Sequence, residues 1–197
     1  MNFDSILEYW FGELMGPLDF PTEKSALWFR KSDATDNEIR DRFQFMWQKA
    51  GDGAYDSWAK DPRGRLALII LNDQFSRNMY REDARAFSRD FQALELATNG
   101  VAARMDRNLF PIERVFFYLP FEHAEDLPNQ NMSCTLFTEL LESVPDQMKS
   151  AMKEFLRYAD AHREIIKKFG RFPHRNEILK RKSTPEEVEF LKTNKGF

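Results

Sequence analysis

The feature that most constrains the fold is an apolar stripe between residues 146 and 170. Seven residues of this segment follow one another at steps of four and three: Met148, Met152, Phe155, Ala159, His162, Ile166 and Phe169. This spacing places all seven side chains on one face of an α-helix. Asp146 at the N-cap and Gly170 just after the last turn are typical ends of such a helix. The sequence therefore predicts an amphipathic helix over residues 147–169.

The same helical spacing recurs along most of the chain. It predicts further helices over residues 4–11, 36–50, 65–75, 83–99, 108–119, 128–143 and 184–192. The apolar run at residues 66–71 also fits a buried strand, but Asp61 followed by Pro62 is typical of a helix N-terminus and favours a helix. Pro120 is expected to end one helix at Leu119, because proline disfavours α conformation in the residue before it.

Local signals define three of these helices more closely. The helix over residues 83–99 has its predicted apolar stripe at Phe87, Phe91, Leu94 and Ala97, and the pair Asn99 and Gly100 is its predicted end. Asp126 is the predicted N-cap of the helix over residues 128–143. Thr184, Pro185 and Glu187 form the pattern of a capping box with proline at the first helical position.

These patterns together predict an all-α fold. No segment alternates apolar and polar residues between hairpin turns, so a sheet has little support. About eight or nine helices joined by short loops favour stacked antiparallel helical hairpins. No Gly, Ser or Pro-rich linker divides the 197 residues, so a single helical domain over residues 1–197 is expected.

The amino-acid composition restricts the class of protein and its expected cellular location. Hydrophobic residues make up 42% and charged residues 31%, as in a globular protein. The N-terminus lacks a basic signal region, and the longest apolar runs are far too short to span a bilayer, so no membrane association is expected. Cys134 is the single cysteine, which excludes an intrachain disulfide and a cysteine metal cage. A cytoplasmic location is the prediction.

Charge is distributed unevenly along the chain. The formal net charge of −3 argues against a nucleic-acid-binding protein. Residues 162–182, however, carry eight Lys or Arg against two Glu. This basic segment is either a solvated face or part of a binding site.

Polar residues occupy positions in residues 73–78 where the helical pattern expects apolar ones. Asp73 follows the apolar stripe of residues 66–70 and should point inward, with Arg77 one turn further on and Asn78 beside it. A buried carboxylate needs a partner. The two interpretations are an internal ion pair between Asp73 and Arg77, and a ligand-binding group.

A second polar segment, residues 119–126, combines three carboxylates with His123. This histidine is either a hydrogen-bonded structural residue or a general base with a raised pKa. The paired spacing of a helical metal site is missing, so no metal is predicted. Asp126 is most simply a helix cap.

The third polar segment follows the long helix. His162 lies on its apolar stripe, as a satisfied core histidine or as a proton carrier facing a cleft. Gly170 and Pro173 then predict a stiff turn that presents Arg171, His174, Arg175 and Asn176. Arginine side chains in such a loop suit a carboxylate or a phosphate, because a guanidinium binds both with two hydrogen bonds.

The polar segments coincide with motifs of a known family. The sequence resembles the bacterial family DUF924, whose members are similar in fold to tetratricopeptide repeats. The resemblance covers nearly the whole chain and depends on residues 8–12, 71–78, 118–126, 169–176 and 183–187. The family pattern has proline, serine and glycine where this chain has Ser76, Ala124 and Lys180, and these departures concern turn geometry. The resemblance implies a tetratricopeptide-like all-α arrangement and no particular activity.

The leading functional hypothesis is a binding protein for a small anionic ligand or an acidic peptide end. Its predicted ligand-binding residues are Asp73, Arg77, Asn78, His123, Arg171, His174, Arg175 and Asn176, with Asp73 and His123 orienting the others. The hypothesis requires the polar segments to converge on one open pocket. No phosphate-binding loop or dinucleotide motif is present, so no cofactor is predicted.

Two alternatives remain open at this level. One is a hydrolase-type enzyme that uses His123 or His174 as base and Asp73 as the orienting carboxylate, although the sequence indicates no nucleophile. The other is a structural or protein-interaction module in which the same motifs only hold loops together. An exposed apolar groove without converging charges would favour the module. The sequence carries no signal for the oligomeric state.

Overall fold

The structure is a computed structural model that describes residues 2–194. Within these residues the chain forms helices and loops and no strand, so the predicted all-α class is confirmed. The helices are α1 (Asp4–Phe11), α2 (Ser25–Phe29), α3 (Asp33–Gly51), α4 (Pro62–Asn72), α5 (Gln74–Met79), α6 (Asp90–Ala102), α7 (Pro111–His123), α8 (Leu127–Ser143), α9 (Asp146–Phe169) and α10 (Pro185–Leu191). None of these described helices combines the length and apolar character needed to cross a bilayer.

Three of the predicted helix N-caps are confirmed by hydrogen bonds. Asp61 accepts from the amides of Arg63 and Gly64 at the start of α4, and Asp126 accepts from the amide of Asn129 in α8. Thr184 and Glu187 form the complete capping box of α10. Asp146 differs from the prediction, since it is the first residue of α9 and Pro145 precedes it as the cap.

The chain divides into two compact units. The first unit contains the described residues up to Arg81 and then Arg85–Pro120, and the second contains Glu82–Ala84 and the described residues from Phe121 onward. The expectation of one domain over residues 1–197 stays a prediction, as does the tetratricopeptide-like stacking of hairpins.

The core of the first unit is built around α4. Every residue from Leu66 to Leu71 is buried, and α4 packs against α1, α3, α5 and α6. A helix surrounded in this way is apolar on all faces, which is why its sequence also resembled a buried strand. Trp10 of α1 adds edge-to-face contacts with Phe75 and Phe116, each at 5.5 Å between ring centroids.

The core of the second unit is the hairpin of α8 and α9. The predicted stripe of α9 is buried at five positions: Met148, Met152, Ala159, His162 and Ile166. Phe137 of α8 stacks on Phe155 of α9 with 6.4 Å between ring centroids. The two helices are joined by only two residues and pack along their lengths, as in an αα-hairpin.

The predicted stripe of α6 agrees with the buried face of the helix only at Ala97. Phe91 is 74% exposed, and the buried positions are Ala93, Ala97 and Gly100. Gly100 does not end the helix, which continues to Ala102. A Cβ atom on Gly100 would clash with the ring of Phe117, so the close approach of neighbouring side chains selects small residues on this face.

The predicted end of α7 at Leu119 is also wrong, because the helix continues through Pro120 to His123. Proline removes one helical hydrogen bond, but the last turn is stabilised from outside. The side-chain amide of Gln130 donates to the carbonyl oxygens of Glu122 and Ala124 at 2.6 and 2.8 Å. These bonds satisfy two carbonyl groups that the helix end would otherwise leave without a partner.

The packing of α6 gives a first testable prediction. Gly100→Ala should lower the free energy of unfolding by about 1–3 kcal/mol, because the added methyl group overpacks the contact with Phe117. Gly16→Ala is the matched control, since a Cβ atom there meets nothing within 4 Å. Urea unfolding of both variants measures the difference, and equal stabilities would show that α6 does not pack as described.

Candidate functional site

The candidate site lies in the second unit, where the chain turns after α9. Gly170 ends the helix with a left-handed φ of 69°, and a short 3-10 turn follows over Pro173–Arg175. This turn buries Phe172 completely and places His174 and Arg175 beside its ring. The centroid of the His174 ring lies 5.6 Å from that of Phe172, and the Arg175 guanidinium carbon lies 4.5 Å from it.

Two further histidines belong to this group, one from α7 and one from α9. The ring of His162 packs edge-to-face on Phe172 at 5.5 Å, and the ring of His123 lies 6.4 Å from that of His162. The chain has three histidines, so all of them lie in this group. We call His123, His162, His174 and Arg175 the histidine cluster. Three of its members were predicted site residues, and His162 was assigned to the core stripe as well as to a cleft.

His162 is held in one orientation and one tautomer. Its Nδ1 atom lies 2.8 Å from the carbonyl oxygen of Tyr158 and 3.2 Å from Oε1 of Glu122. Both partners are acceptors, so we assign the proton to Nδ1 and the lone pair to Nε2. Burial lowers the pKa of His162 to about 3, and the positive charges of His123, Arg175 and His174 act in the same direction. His162 is therefore neutral at physiological pH.

Glu125 fixes the turn from the loop between α7 and α8. Its carboxylate accepts hydrogen bonds from the amide of Phe172 at 2.8 Å and from the Nη2 atom of Arg181 at 2.9 Å. Burial alone would raise the pKa of Glu125, but these hydrogen bonds and the charge of Arg175 bring it below its ordinary value. Glu125 is therefore ionised and compensates one arginine beside the cluster.

Arg171 and Asn176, both predicted to bind a ligand, connect the turn to α10. Arg171 donates to both carboxylate oxygens of Glu187, at 2.7 and 2.8 Å. Asn176 is 1% exposed, and its amide donates to Ser183 and to Glu187 at 3.0 and 3.2 Å. Arg181 completes the connection with a hydrogen bond to Oδ1 of Asn176. The ligand-binding role of Arg171 and Asn176 stays a prediction.

The segment after this turn contains Lys180, a position at which the sequence departs from the family pattern. Lys180 has a φ of 55°, in the left-handed region where side chains other than glycine are strained. The family pattern has glycine at this position, which would adopt the same conformation without that cost. Replacing Lys180 by glycine would therefore relieve this strain.

The other three predicted residues lie in the first unit. Asp73 is fully buried, and its carboxylate lies 2.9 Å from Nη1 of Arg77, so the predicted ion pair is present. Arg77 also donates to both carboxylate oxygens of Asp90, at 2.8 and 3.0 Å. Asn78 donates to Asp36 at 2.8 Å. Each of the three therefore takes part in a hydrogen-bond network within its own unit.

The carboxylate that lies next to His162 is that of Glu122, which was not among the predicted site residues. The hydrolase alternative named Asp73 as the orienting carboxylate, and that group is bound by Arg77 and Gln74. A signal for Glu122 exists in the sequence, because it follows the buried residues Val115 and Leu119 at helical spacing. Among residues 2–194 no group of three potential ligands could hold a metal ion.

Comparisons with known proteins agree with this all-α architecture. A family model described as "Bacterial protein of unknown function (DUF924)" matches residues 6–195, and the chain belongs to this family. A solved structure, that of the protein of unknown function ATU0120 from Agrobacterium tumefaciens, is similar with a TM-score of 0.82 and 34% identity. The similarity covers 98% of this chain and 97% of that chain. No match was found among curated proteins.

Proposed function

We propose that this helical protein binds a small oxyanion, such as a phosphate group or the carboxylate of an acidic peptide end, at the histidine cluster. The observation that carries the proposal is that Arg175, His162 and His174 pack around the buried ring of Phe172, while the ring of His123 lies 6.4 Å from that of His162. These groups come from three separate parts of the chain: α7, α9 and the turn after α9. Donors arranged in this way suit the separate oxygens of an oxyanion.

The burial of the groups supports the same function. Arg175 is 5% exposed and its guanidinium is packed on Phe172, so its orientation is fixed before a ligand arrives. His123 and His174 are only partly buried, which gives solvent access to the outer edge of the cluster. A hydrogen bond to a charged group is stronger in such a partly desolvated site than in water. The site is therefore preorganised and reachable.

Arg175→Ala is expected to weaken phosphate binding by about 10- to 100-fold, the effect of losing a charged hydrogen-bond donor. Isothermal titration with inorganic phosphate and thermal melting with and without phosphate measure this effect. Arg157→Ala is the control, because Arg157 is an exposed arginine of α9 with a side chain 58% accessible. It should bind phosphate like the original protein.

A second variant keeps the test decisive if Arg175→Ala proves unstable. His174→Gln changes a partly buried side chain and should weaken phosphate binding with the melting temperature little changed. Peptides with a free and with an amidated C-terminus test whether the site binds a peptide end. Only the peptide with the free carboxylate should bind. Failure of every anion to bind, or equal binding by all variants, would refute the proposal.

A further inference from the structure

The described part of the chain before α2 carries an excess of negative charge. Residues 2–24 contain five carboxylates and one cationic side chain, that of Lys24. The five carboxylates are those of Asp4, Glu8, Glu13, Asp19 and Glu23. None of them forms an ion pair with another residue among residues 2–194. Lys24 donates a hydrogen bond to the carbonyl oxygen of Tyr9 at 3.0 Å. Five negative charges and one positive charge leave this segment with a net charge of −4.

Cations of the neighbouring elements do not reverse this charge. The guanidinium carbon of Arg42 in α3 lies 4.5 Å from the centroid of the Tyr9 ring, but Arg42 forms an ion pair with Glu38 at 3.1 Å. Arg30 and Lys31 follow the end of α2, and with both of them included residues 2–31 have five acidic and three basic side chains, a net charge of −2. The surface formed by α1 and the loop after it is therefore acidic.

A turn over residues 15–19 presents apolar side chains within this acidic segment. The carboxylate of Asp19 accepts hydrogen bonds from the amides of Met15 and Gly16, and the amide of Asp19 donates to the carbonyl oxygen of Gly16 at 3.1 Å. These bonds satisfy backbone groups of the turn from within and hold it in one shape. Met15 is nevertheless 81% exposed and Leu18 is 51% exposed. The turn is therefore ordered although two of its apolar side chains lie in water.

Aromatic contacts join the end of this turn to α2. Phe20 packs on Trp28 with 6.3 Å between ring centroids, and Trp28 packs on Phe29 at 5.9 Å. Phe29 is itself 58% exposed. Exposed apolar side chains with charged residues around them are typical of surfaces that bind another protein. We call the exposed residues of this region the N-terminal surface: Glu13, Met15, Leu18, Glu23 and Phe29.

We propose that the N-terminal surface binds a cationic amphipathic segment of another protein. Apolar side chains of that segment pack against Met15, Leu18 and Phe29, and its Lys or Arg side chains face Glu13 and Glu23. Charge complementarity selects this partner, because anionic lipids and nucleic acids have the same sign of charge as the surface and are repelled by it. Burial of the apolar side chains supplies a driving force that a contact between exposed charges lacks. The proposal concerns the first unit and is independent of the anion site in the second.

The probe is a synthetic amphipathic peptide of leucine and lysine, and its control is the same peptide with glutamate in place of lysine. Fluorescence anisotropy of the labelled peptides with the full chain gives their dissociation constants. We expect the glutamate peptide to bind at least about tenfold more weakly than the lysine peptide. NMR spectra of the isotope-labelled chain locate the contact, and amide resonances of residues 13–29 should shift when the lysine peptide is added.

Two double variants test the charges and the apolar side chains separately. Glu13→Lys with Glu23→Lys should weaken binding of the lysine peptide at least about tenfold and should strengthen binding of the glutamate peptide. Met15→Ser with Leu18→Ser should weaken binding of the lysine peptide about tenfold with the melting temperature little changed, because both side chains are exposed.

The matched control is Glu95→Lys with Glu142→Lys. It makes the same change in net charge at exposed carboxylates of α6 and α8, and the affinity for the lysine peptide should change less than about twofold. An equal loss of affinity in the control would show a general effect of net charge and would overturn the proposal. Absence of peptide binding, or resonance shifts only outside residues 13–29, would overturn it as well. Self-association of the chain that is lost in Met15→Ser with Leu18→Ser, measured by sedimentation, would assign the surface to a second copy instead.

Discussion

Replacing Arg77 by alanine is expected to lower the free energy of unfolding by about 3–5 kcal/mol, the usual cost of breaking a buried ion pair from one side. The Asp73 carboxylate is fully buried and lies 2.9 Å from the guanidinium. Asp90 loses two hydrogen bonds in the same variant. The measurement is urea unfolding followed by circular dichroism, extrapolated to water.

A double-mutant cycle separates the ion pair from the loss of packing. Asp73→Ala, Arg77→Ala and the double variant should show a coupling energy, with the double variant less destabilised than the sum of the single variants. Lys49→Ala is the control in the same unit, because Lys49 faces Asp52 at 3.7 Å on the surface and should change stability by about 0.5 kcal/mol or less. If Arg77→Ala lowered the free energy of unfolding by only about 0.5 kcal/mol, this result would contradict the assignment of Arg77 to a buried ion pair.

This result bears on the sequence prediction that Arg77 binds a ligand. A guanidinium that already donates to Asp73 and to both oxygens of Asp90 has its strongest donors in use. Its role is then to hold the end of α5 against the start of α6 within the first unit. The anion site is proposed instead at the histidine cluster, where Arg175, His162 and His174 pack around Phe172.

The helices could be predicted from the sequence wherever the signal is local. Caps such as Asp61 and Thr184 act through hydrogen bonds to amides two or three residues away, so the sequence contains both partners. The register of α6 depends instead on a contact between Gly100 and Phe117, which are distant in the chain. The end of α7 depends on Gln130 in the next helix. Propensity alone could not reveal either contact.

The same distinction applies to the candidate site. His174 and Arg175 are neighbours in a turn that Gly170 and Pro173 predict, so the sequence pointed to them directly. The pairing of Glu122 with His162 joins residues of α7 and α9, and no spacing rule relates them.

Glu187→Gln is expected to lower the free energy of unfolding by about 2–3 kcal/mol at neutral pH, the typical value for losing charged hydrogen bonds. Glu187 is 2% exposed and accepts hydrogen bonds from Arg171 and Asn176 as well as from the backbone amide of Thr184. It therefore joins α10 to the turn that carries the histidine cluster. Glu186→Gln is the matched control, since its side chain on the same helix is exposed.

The pH dependence of the Glu187 effect distinguishes this network from a general loss of packing. The hydrogen bond from Arg171 is the largest cause that lowers the pKa of Glu187 from 4.5 to about 2. A carboxyl group with a lowered folded-state pKa contributes stability that is fully present above the unfolded value and is lost as the pH falls toward the folded value. The difference between the original chain and Glu187→Gln should therefore shrink between about pH 5 and pH 2. A difference that stayed constant over this range would mean that the carboxylate is not ionised and bonded as described, and that α10 is held to the turn by packing alone.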